Sequence, residues 1–198
     1  VFTSRAFRHS AIFILDDGPL DDPAALSGTR IGVPEWTQTA TVYARGVLAH
    51  ELGVALSDVN WVQAGTNEPG RSEGVPVELP AGVSLTPMPE RTLNDLLLAG
   101  EIDALIAAHP PKEFERGSGR VVRLFSDYRA VEERTYRESA VFPIMHVVAL
   151  RAEVHERHPW IAMNLFTAFE AAKQRSLVRA LDANAPRFPV PWAPANAE

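Results

Sequence analysis

Short β-branched apolar runs alternate along this chain with segments of helical periodicity, and that alternation limits the fold more than any other feature. Residues 10–15 (SAIFIL) form the first run, 30–33 (RIGV) the second, 59–62 the third and 104–107 (ALIA) the fourth. Runs of this kind, bounded by Gly, Pro or Asp, read as strands. Between them, Ala40, Val42, Tyr43, Val47, Leu48 and Leu52 recur at helical spacing over 39–52, with Gly53 as the C-cap. A second helix is predicted over 92–99, ended by Gly100, and 121–125 and 128–137 read as a further strand and helix. The most apolar run, 141–150 (VFPIMHVVAL), reads as a strand, and 153–180 as the longest helical region, interrupted near Pro159. Residues 64–89 are rich in Gly and Pro and read as an excursion with a short strand near 75–79. The tail from Asp182 reads as an irregular Pro-rich linker. This order implies an α/β sheet with helices on its faces. Ligands of such sheets bind at the carboxyl ends of strands, beside helix N-termini.

Composition removes several classes of function. Apolar residues at 46% and charged residues at 22% suit a packed core and argue against disorder. A net charge of −6 with no Lys/Arg cluster argues against a nucleic-acid partner. The absence of cysteine excludes disulfides, thiolate zinc sites and cysteine nucleophiles. No run reaches the ~18 apolar residues of a membrane span, and a homo-oligomer is compatible with the sequence. No HExxH, GxSxG, P-loop or GxGxxG motif occurs. A divalent metal would have to draw on His9, Glu35 and His146, whose spacing carries no information, so no metal or cofactor is assigned. The opening VFTSRAFRHSAIF lacks the layout of a secretion signal. The expected compartment is the cytoplasm, or the periplasm if a signal peptide precedes Val1.

Chemistry-bearing residues fall in a few places. The turn over 34–40 ends a strand and starts a helix, so Thr37, Gln38, Thr39 and the free amides beyond them form a natural anion site. A Thr at 37 or 39 would equally cap the helix with no ligand at all. Arg5, Arg8 and His9 precede the first strand. Two arginines can clamp a carboxylate and place an imidazole beside it, or lie solvated on the surface. Arg91 opens the second helix, facing either a ligand cleft or Asp95 at i+4. His109 ends the ALIA strand before Pro110 and is placed to face a cleft. His146, inside an apolar strand, is either a core histidine or a second acid/base candidate. His50, His155 and His158 lie in charged helical contexts and read as solvated.

Several segments together resemble the 4,5-dihydroxyphthalate decarboxylase family: SRAFRHS at 4–10, GTRIGVPEWTQTATVYARGVLAHELGV at 28–54, RTLNDLLLAGEIDALIAAHPP at 91–111, RLFSDYRAVEERTYRESAVFPIMHVV at 123–148 and HPWIAMNLFTAFEAAK at 158–173. The third segment alone also resembles ordinary type II periplasmic binding proteins. The resemblance implies an α/β, type II periplasmic-binding-protein-like fold with a mixed sheet and helices on both faces. The chain would hold one lobe plus hinge strands of a two-lobed protein. Residues 1–27 would be hinge strand and loop, 28–150 the ligand-binding lobe, and 151–198 a helical return and tail toward the first lobe. It further implies conversion of 4,5-dihydroxyphthalate to protocatechuate and CO2. His9 or His146 would act as general acid, and Arg5, Arg8, Arg91, His109 and the 37–39 turn as substrate contacts. Trp36 or Phe142 would stack on the ring. At 36–39 and at His109 the sequence departs from the family's pattern, which touches substrate choice. The competing class is a non-catalytic solute-binding protein of an uptake system for a small organic anion, since fold alone does not give function.

Overall fold

A computed structural model describes residues 2–20 and 22–182. In chain order the elements are β1 (Phe2–Arg5), a 3₁₀ turn (His9–Ala11), β2 (Ile12–Leu15), a 3₁₀ turn (Pro23–Leu26), β3 (Arg30–Val33) and α1 (Thr39–Gly46), which runs on into a π-helical segment (Val47–Glu51). After a short 3₁₀ turn (Leu56–Asp58) come β4 (Asn60–Gly65), β5 (Ser84–Thr92), α2 (Leu93–Leu98), β6 (Ala104–Ile106), α3 (Lys112–Glu115), β7 (Val121–Arg123) and α4 (Tyr128–Ser139). Then follow β8 (Ile144–Val147), α5 (Ala152–Arg157) and α6 (Trp160–Ala180).

Six strands form one sheet in the order β5–β4–β3–β6–β2–β7. β3 lies parallel to β4 and β6, and β4 parallel to β5, whereas β2 runs antiparallel to β6 and β7. The sheet is therefore mixed. Successive side chains on a strand point to opposite faces. Ile12, Ile14, Ile31, Val33, Ala104 and Ile106 share one apolar cluster with Ala44, Val47 and Leu48. Phe13, Leu105 and Val121 share a second cluster with Leu93, Leu96 and Leu97 of α2. The α1 region thus covers one face and α2 the other. Burial on both faces is why these strands read as continuous apolar runs. The α/β class with a mixed sheet and helices on both faces is as the sequence implied.

One compact unit comprises Arg5–Met145; the other, among the described residues, joins 2–4 to 146–182. The boundary differs from the expected one. β2 sits inside the sheet between β6 and β7, so residues 5–27 belong to the sheet-bearing unit rather than to a hinge. Residues 75–79 form no strand. Val77 and Leu79 pack against the first cluster with irregular backbone, and the pairing with β4 is made by Ser84–Thr92. The apolar run at 141–150 yields only the four residues of β8, which pairs with β1 in a two-stranded ribbon. A two-stranded ribbon has no second layer of its own, and His146 and Val147 remain exposed. The break expected near Pro159 separates α5 from α6. None of α6's side chains is buried, and Trp160, Met163 and Val178 are largely exposed. Beyond Asp182 the predicted Pro-rich tail lies outside the described residues.

Two glycines test the packing. A Cβ on Gly32 would meet Leu93 Cδ2 at 2.6 Å and Ile102 Cδ1 at 2.7 Å, whereas one on Gly46, at the end of α1, would meet nothing within 4 Å. We expect Gly32→Ala to lower unfolding free energy by about 1–3 kcal/mol through overpacking. Gly46→Ala should raise it by about 0.5–1 kcal/mol through helix propensity. Urea denaturation of both variants measures the difference, and equal stabilities would contradict this account of the second cluster.

Candidate functional site

The sheet's topology brings distant residues to one edge. The carboxyl ends of β3, β4 and β6 lie together because these strands are parallel, and β2, running the other way, contributes its amino end. Ala107 N donates to Ala11 O at 2.9 Å, which fixes the stretch before β2 beside the stretch after β6. The loops on this edge carry Arg8 and His9 before β2, Trp36 to Thr39 after β3, and His109 after β6. Two cavities border these loops.

The first cavity, about 410 Å³, is lined by Phe7, Arg8, His9, Tyr43, Val47, His50, Glu51, Thr135, Glu138 and Val141, among others. His9 is 1% exposed. Its Nε2 lies 2.9 Å from Glu51 Oε2, and the same oxygen accepts from Thr135 Oγ1 at 2.9 Å. An ionised carboxylate only accepts hydrogen bonds, so Nε2 carries a proton. Nδ1 is buried and has no hydrogen-bond partner among the described residues; Glu132 Oε1 is 3.9 Å away. Phe125 packs edge-on against the imidazole with ring centroids 5.4 Å apart. The π-helical segment explains Glu51: Leu52 N reaches back five residues to Val47 O at 3.2 Å, and the widened turn re-aims the helix end on which Glu51 sits.

Charges here are poorly hydrated. Burial pushes the Glu132 carboxyl above its ordinary value, against the opposing pull of the Ser10 amide, His9, Arg123 and Arg8. Burial likewise lowers the Arg8 guanidinium, with Glu132 opposing. Arg8 Nε donates to Met145 Sδ at 3.1 Å.

The second cavity, about 450 Å³, is lined by Pro34, Gln38, Gly65, Thr66, Asn67, Arg71, Ala108 and His109, among others. Beside it, the Glu73 carboxylate accepts from the amides of Trp36 and Thr37, from Thr37 Oγ1 at 2.8 Å and from Gln63 Nε2 at 2.9 Å. Arg45 is 8% exposed; its guanidinium lies 3.5 Å from the Trp36 ring centroid and donates to Trp36 O at 2.5 Å. Burial lowers the Arg45 guanidinium to about 10, with Glu73 opposing.

The structure thus groups Arg8 with His9, and Gln38 with His109. Other expected contacts are placed differently. Trp36 is buried, covered by Arg45 on one face and packed edge-on against Trp61, so it has no open face for a substrate ring. Gln38, not a threonine, holds the cap position of α1 and makes no side-chain cap bond, and Thr37's hydroxyl goes to Glu73. Thr39 is exposed as the first helical residue. Arg91 pairs with Glu101 at 2.7 Å rather than with Asp95. His146 is exposed, not a core histidine, and its Nδ1 lies 2.5 Å from Ser4 Oγ. Phe142 stacks on Phe7 at 5.3 Å, with the Arg5 guanidinium 5.8 Å from its centroid. Glu35 pairs with Arg71, and among the described residues no group of three or more His, Asp or Glu side chains could hold a metal ion. No helix among them is long and apolar enough to cross a membrane.

Sequence reasoning missed Glu51, Glu132, Thr135, Glu73, Gln63 and Arg45. Two carried a local signal. Gln63 interrupts an apolar strand, and Arg45 shares the helix face of Thr41 and Leu48. The others reach partners as far as 122 residues away, as Glu73 does to Thr37, Thr135 to Glu51 and Glu132 to Ser10, and no spacing rule reveals that.

No family model matches the chain. It is 42% identical over 193 residues to 4,5-dihydroxyphthalate decarboxylase of Comamonas testosteroni, covering 97% of this chain and 58% of that protein. It is also 42% identical over 138 residues to the Pseudomonas putida protein of the same name, covering 69% of this chain and 54% of the relative. The chain thus spans little more than half the length of these curated relatives. Among solved structures, the periplasmic aliphatic sulphonate binding protein SsuA of Escherichia coli aligns with a TM-score of 0.39 at 14% identity, covering 67% of this chain and 41% of that one.

The burial of Glu132 has a consequence for stability. With its carboxyl raised in the folded state, the folded chain binds more protons here than the unfolded chain. This contribution is complete below the ordinary carboxylate range and is lost as pH rises through the raised value. Glu132→Gln removes the titration. The stability of the variant relative to wild type should therefore climb as pH rises from about 4 toward 8. Urea titrations across that range measure it; a difference independent of pH would contradict the burial argument.

Proposed function

We propose that the chain, 42% identical to two curated 4,5-dihydroxyphthalate decarboxylases of which it spans little more than half, belongs to that family, and that it carries the proton-donating part of such an enzyme, with His9 as general acid. The observation that carries the assignment is the unpartnered, buried Nδ1 of His9 on a 410 Å³ cavity. A buried nitrogen without a partner is costly unless something else meets it. Glu51, held by Thr135, keeps the other nitrogen protonated and the ring in place. His9 is preferred to His146 because the Ser4 hydroxyl already meets His146 Nδ1.

The step balances simply. Nδ1 of a doubly protonated His9 gives its proton to the ring carbon that bears the departing carboxylate. The hydroxyl para to that carbon feeds electron density into the ring. The carbon–carboxylate bond then breaks, its electron pair returns to the ring to restore aromaticity, and CO2 leaves. His9 regains a proton from solvent. The net change is one proton taken up and one CO2 released, with no oxidant or reductant. Arg8, lining the same cavity, supplies positive charge for the carboxylate that stays. A desolvated guanidinium binds a carboxylate more strongly than a hydrated one.

The alternative, a solute-binding protein without catalysis, is not favoured by relatives that are named decarboxylases. The test uses the full chain with 4,5-dihydroxyphthalate, following CO2 and protocatechuate. We expect His9→Asn to lower turnover by about 10²–10⁴ and Glu51→Gln to cause a smaller loss. Undiminished turnover in His9→Asn would overturn the role of His9. Binding without CO2 release would favour the solute-binding alternative.

A further inference from the structure

We propose that Glu132 relays a proton to His9 after each turnover, and that it draws this proton from a cavity other than the one His9 serves. The inference rests on the reading of His9 as general acid. Each turnover strips Nδ1 of a proton, and Nδ1 is buried. A ligand seated in the 410 Å³ cavity expels the water that could restore the proton from that side. Glu132 approaches the imidazole from elsewhere, with Oε1 3.9 Å from Nδ1. It lines a second cavity of about 300 Å³ together with Phe7, Arg129, Glu133, Tyr136 and Phe142. Arg129, Glu133 and Tyr136 are exposed, so this outer cavity meets solvent. Phe7 alone lines both cavities.

The carboxyl is held in place for this task. Its Oε1 accepts from Ser10 N at 3.4 Å, and Arg123 donates to Ser10 O, so the backbone of Ser10 is gripped at both its polar atoms beside His9. The terminal torsion of a glutamate is soft. Rotation about it exchanges the two oxygens, so a proton taken up in the outer cavity is presented to Nδ1. Burial raises the carboxyl, against the opposing pull of the Ser10 amide, His9, Arg123 and Arg8. That shift brings it toward the range of an imidazole, and groups of similar proton affinity exchange a proton readily. Arg129 and Glu133, the other charged groups on the outer cavity, pair with each other at 2.9 Å. The transfer needs no further reactant. Neutral Glu132 gives its proton to Nδ1 and becomes a carboxylate, and water in the outer cavity then returns a proton to it. One proton per turnover passes from solvent to His9.

The experiment follows CO2 release from 4,5-dihydroxyphthalate by the full chain and resolves the first turnover from those that follow. The first turnover uses the proton that His9 already holds. In Glu132→Gln we expect a burst of CO2, then a steady rate about tenfold or more below that of wild type. Imidazole buffer, raised at constant pH and ionic strength, should restore the steady rate of the variant, because a small acid entering the outer cavity replaces the missing carboxyl. Wild type should respond little. A steady rate in Glu132→Gln equal to that of wild type would overturn the proposal. So would a first turnover slowed as much as the later ones, or a slow steady rate that imidazole leaves unchanged. Should Glu132→Gln fail to fold, Glu132→Asp keeps an acid but withdraws it by one methylene. Its steady rate should also rise with imidazole, and indifference to the buffer would overturn the proposal equally. The two readings fail separately. An undiminished first turnover in His9→Asn removes the general acid and the relay together. Loss of turnover in His9→Asn, beside wild-type turnover in Glu132→Gln, removes the relay alone.

Discussion

Three fully buried residues, Ala104–Ile106, join the two halves of the sheet. On one side they pair parallel with β3, and on the other antiparallel with β2. Everything at the candidate site depends on that reversal. Were β2 parallel to its neighbours, its amino end would lie at the opposite edge, and Arg8 and His9 would sit far from the loops that follow β3, β4 and β6. The joint tolerates little change, because each of its three side chains belongs to one of the two apolar clusters. A strand this short holds its register through those clusters rather than through its few hydrogen bonds.

Two buried charge problems arise on the edge so formed, and they are solved differently. Arg45 is placed on the packed face of α1, where its guanidinium covers Trp36 and donates to Trp36 O, and the charge of Glu73, from an irregular segment, opposes the effect of burial on it. His9 is flanked by two carboxylates, only one of which is within hydrogen-bond reach. The first arrangement satisfies the donors around it. The second leaves a nitrogen unmet. Buried polar groups are nearly always satisfied, so the exception calls for an explanation, and the proposed role of His9 as general acid supplies one. The same low polarity that makes an unmet nitrogen costly strengthens each contact a bound anion would make.

Most of the fold was legible because its strands are buried on both faces. Such strands print as unbroken apolar runs, and 30–33 matches its element end to end. Residues 141–150 misled for the converse reason: an equally apolar run became a ribbon whose burial no local pattern states. The site was legible in part. His9, Arg8, Gln38 and His109 stand where chain reversals at strand ends put them. Trp36 was misread because an aromatic in a turn looks the same whether a ligand or Arg45 covers it. Thr37 was read as anion-binding, and it does bind an anion, but one that belongs to the chain. Glu51 was invisible, since a π-helical turn shifts which residues share a helix face and the helical spacing rule assumes it does not.

The tautomer held by Glu51 decides what the first cavity can do. With Nε2 committed as a donor, only Nδ1 is left to exchange a proton, and it acts as acid or base according to whether a second proton is present. Protonation of a ring carbon needs the acid form at the moment the substrate is seated, in a site where burial works against charge. One feature favours it: Glu51 meets the imidazole directly, and a hydrogen-bonded carboxylate stabilises a cationic partner. Glu132, 3.9 Å from Nδ1, does so less, because burial raises its carboxyl and favours the neutral form. A carboxylate-bearing substrate adds a further negative group near the ring. Under the decarboxylase reading, the substrate therefore favours the protonation state that its own conversion requires, and loss of the departing carboxylate as CO2 relaxes it.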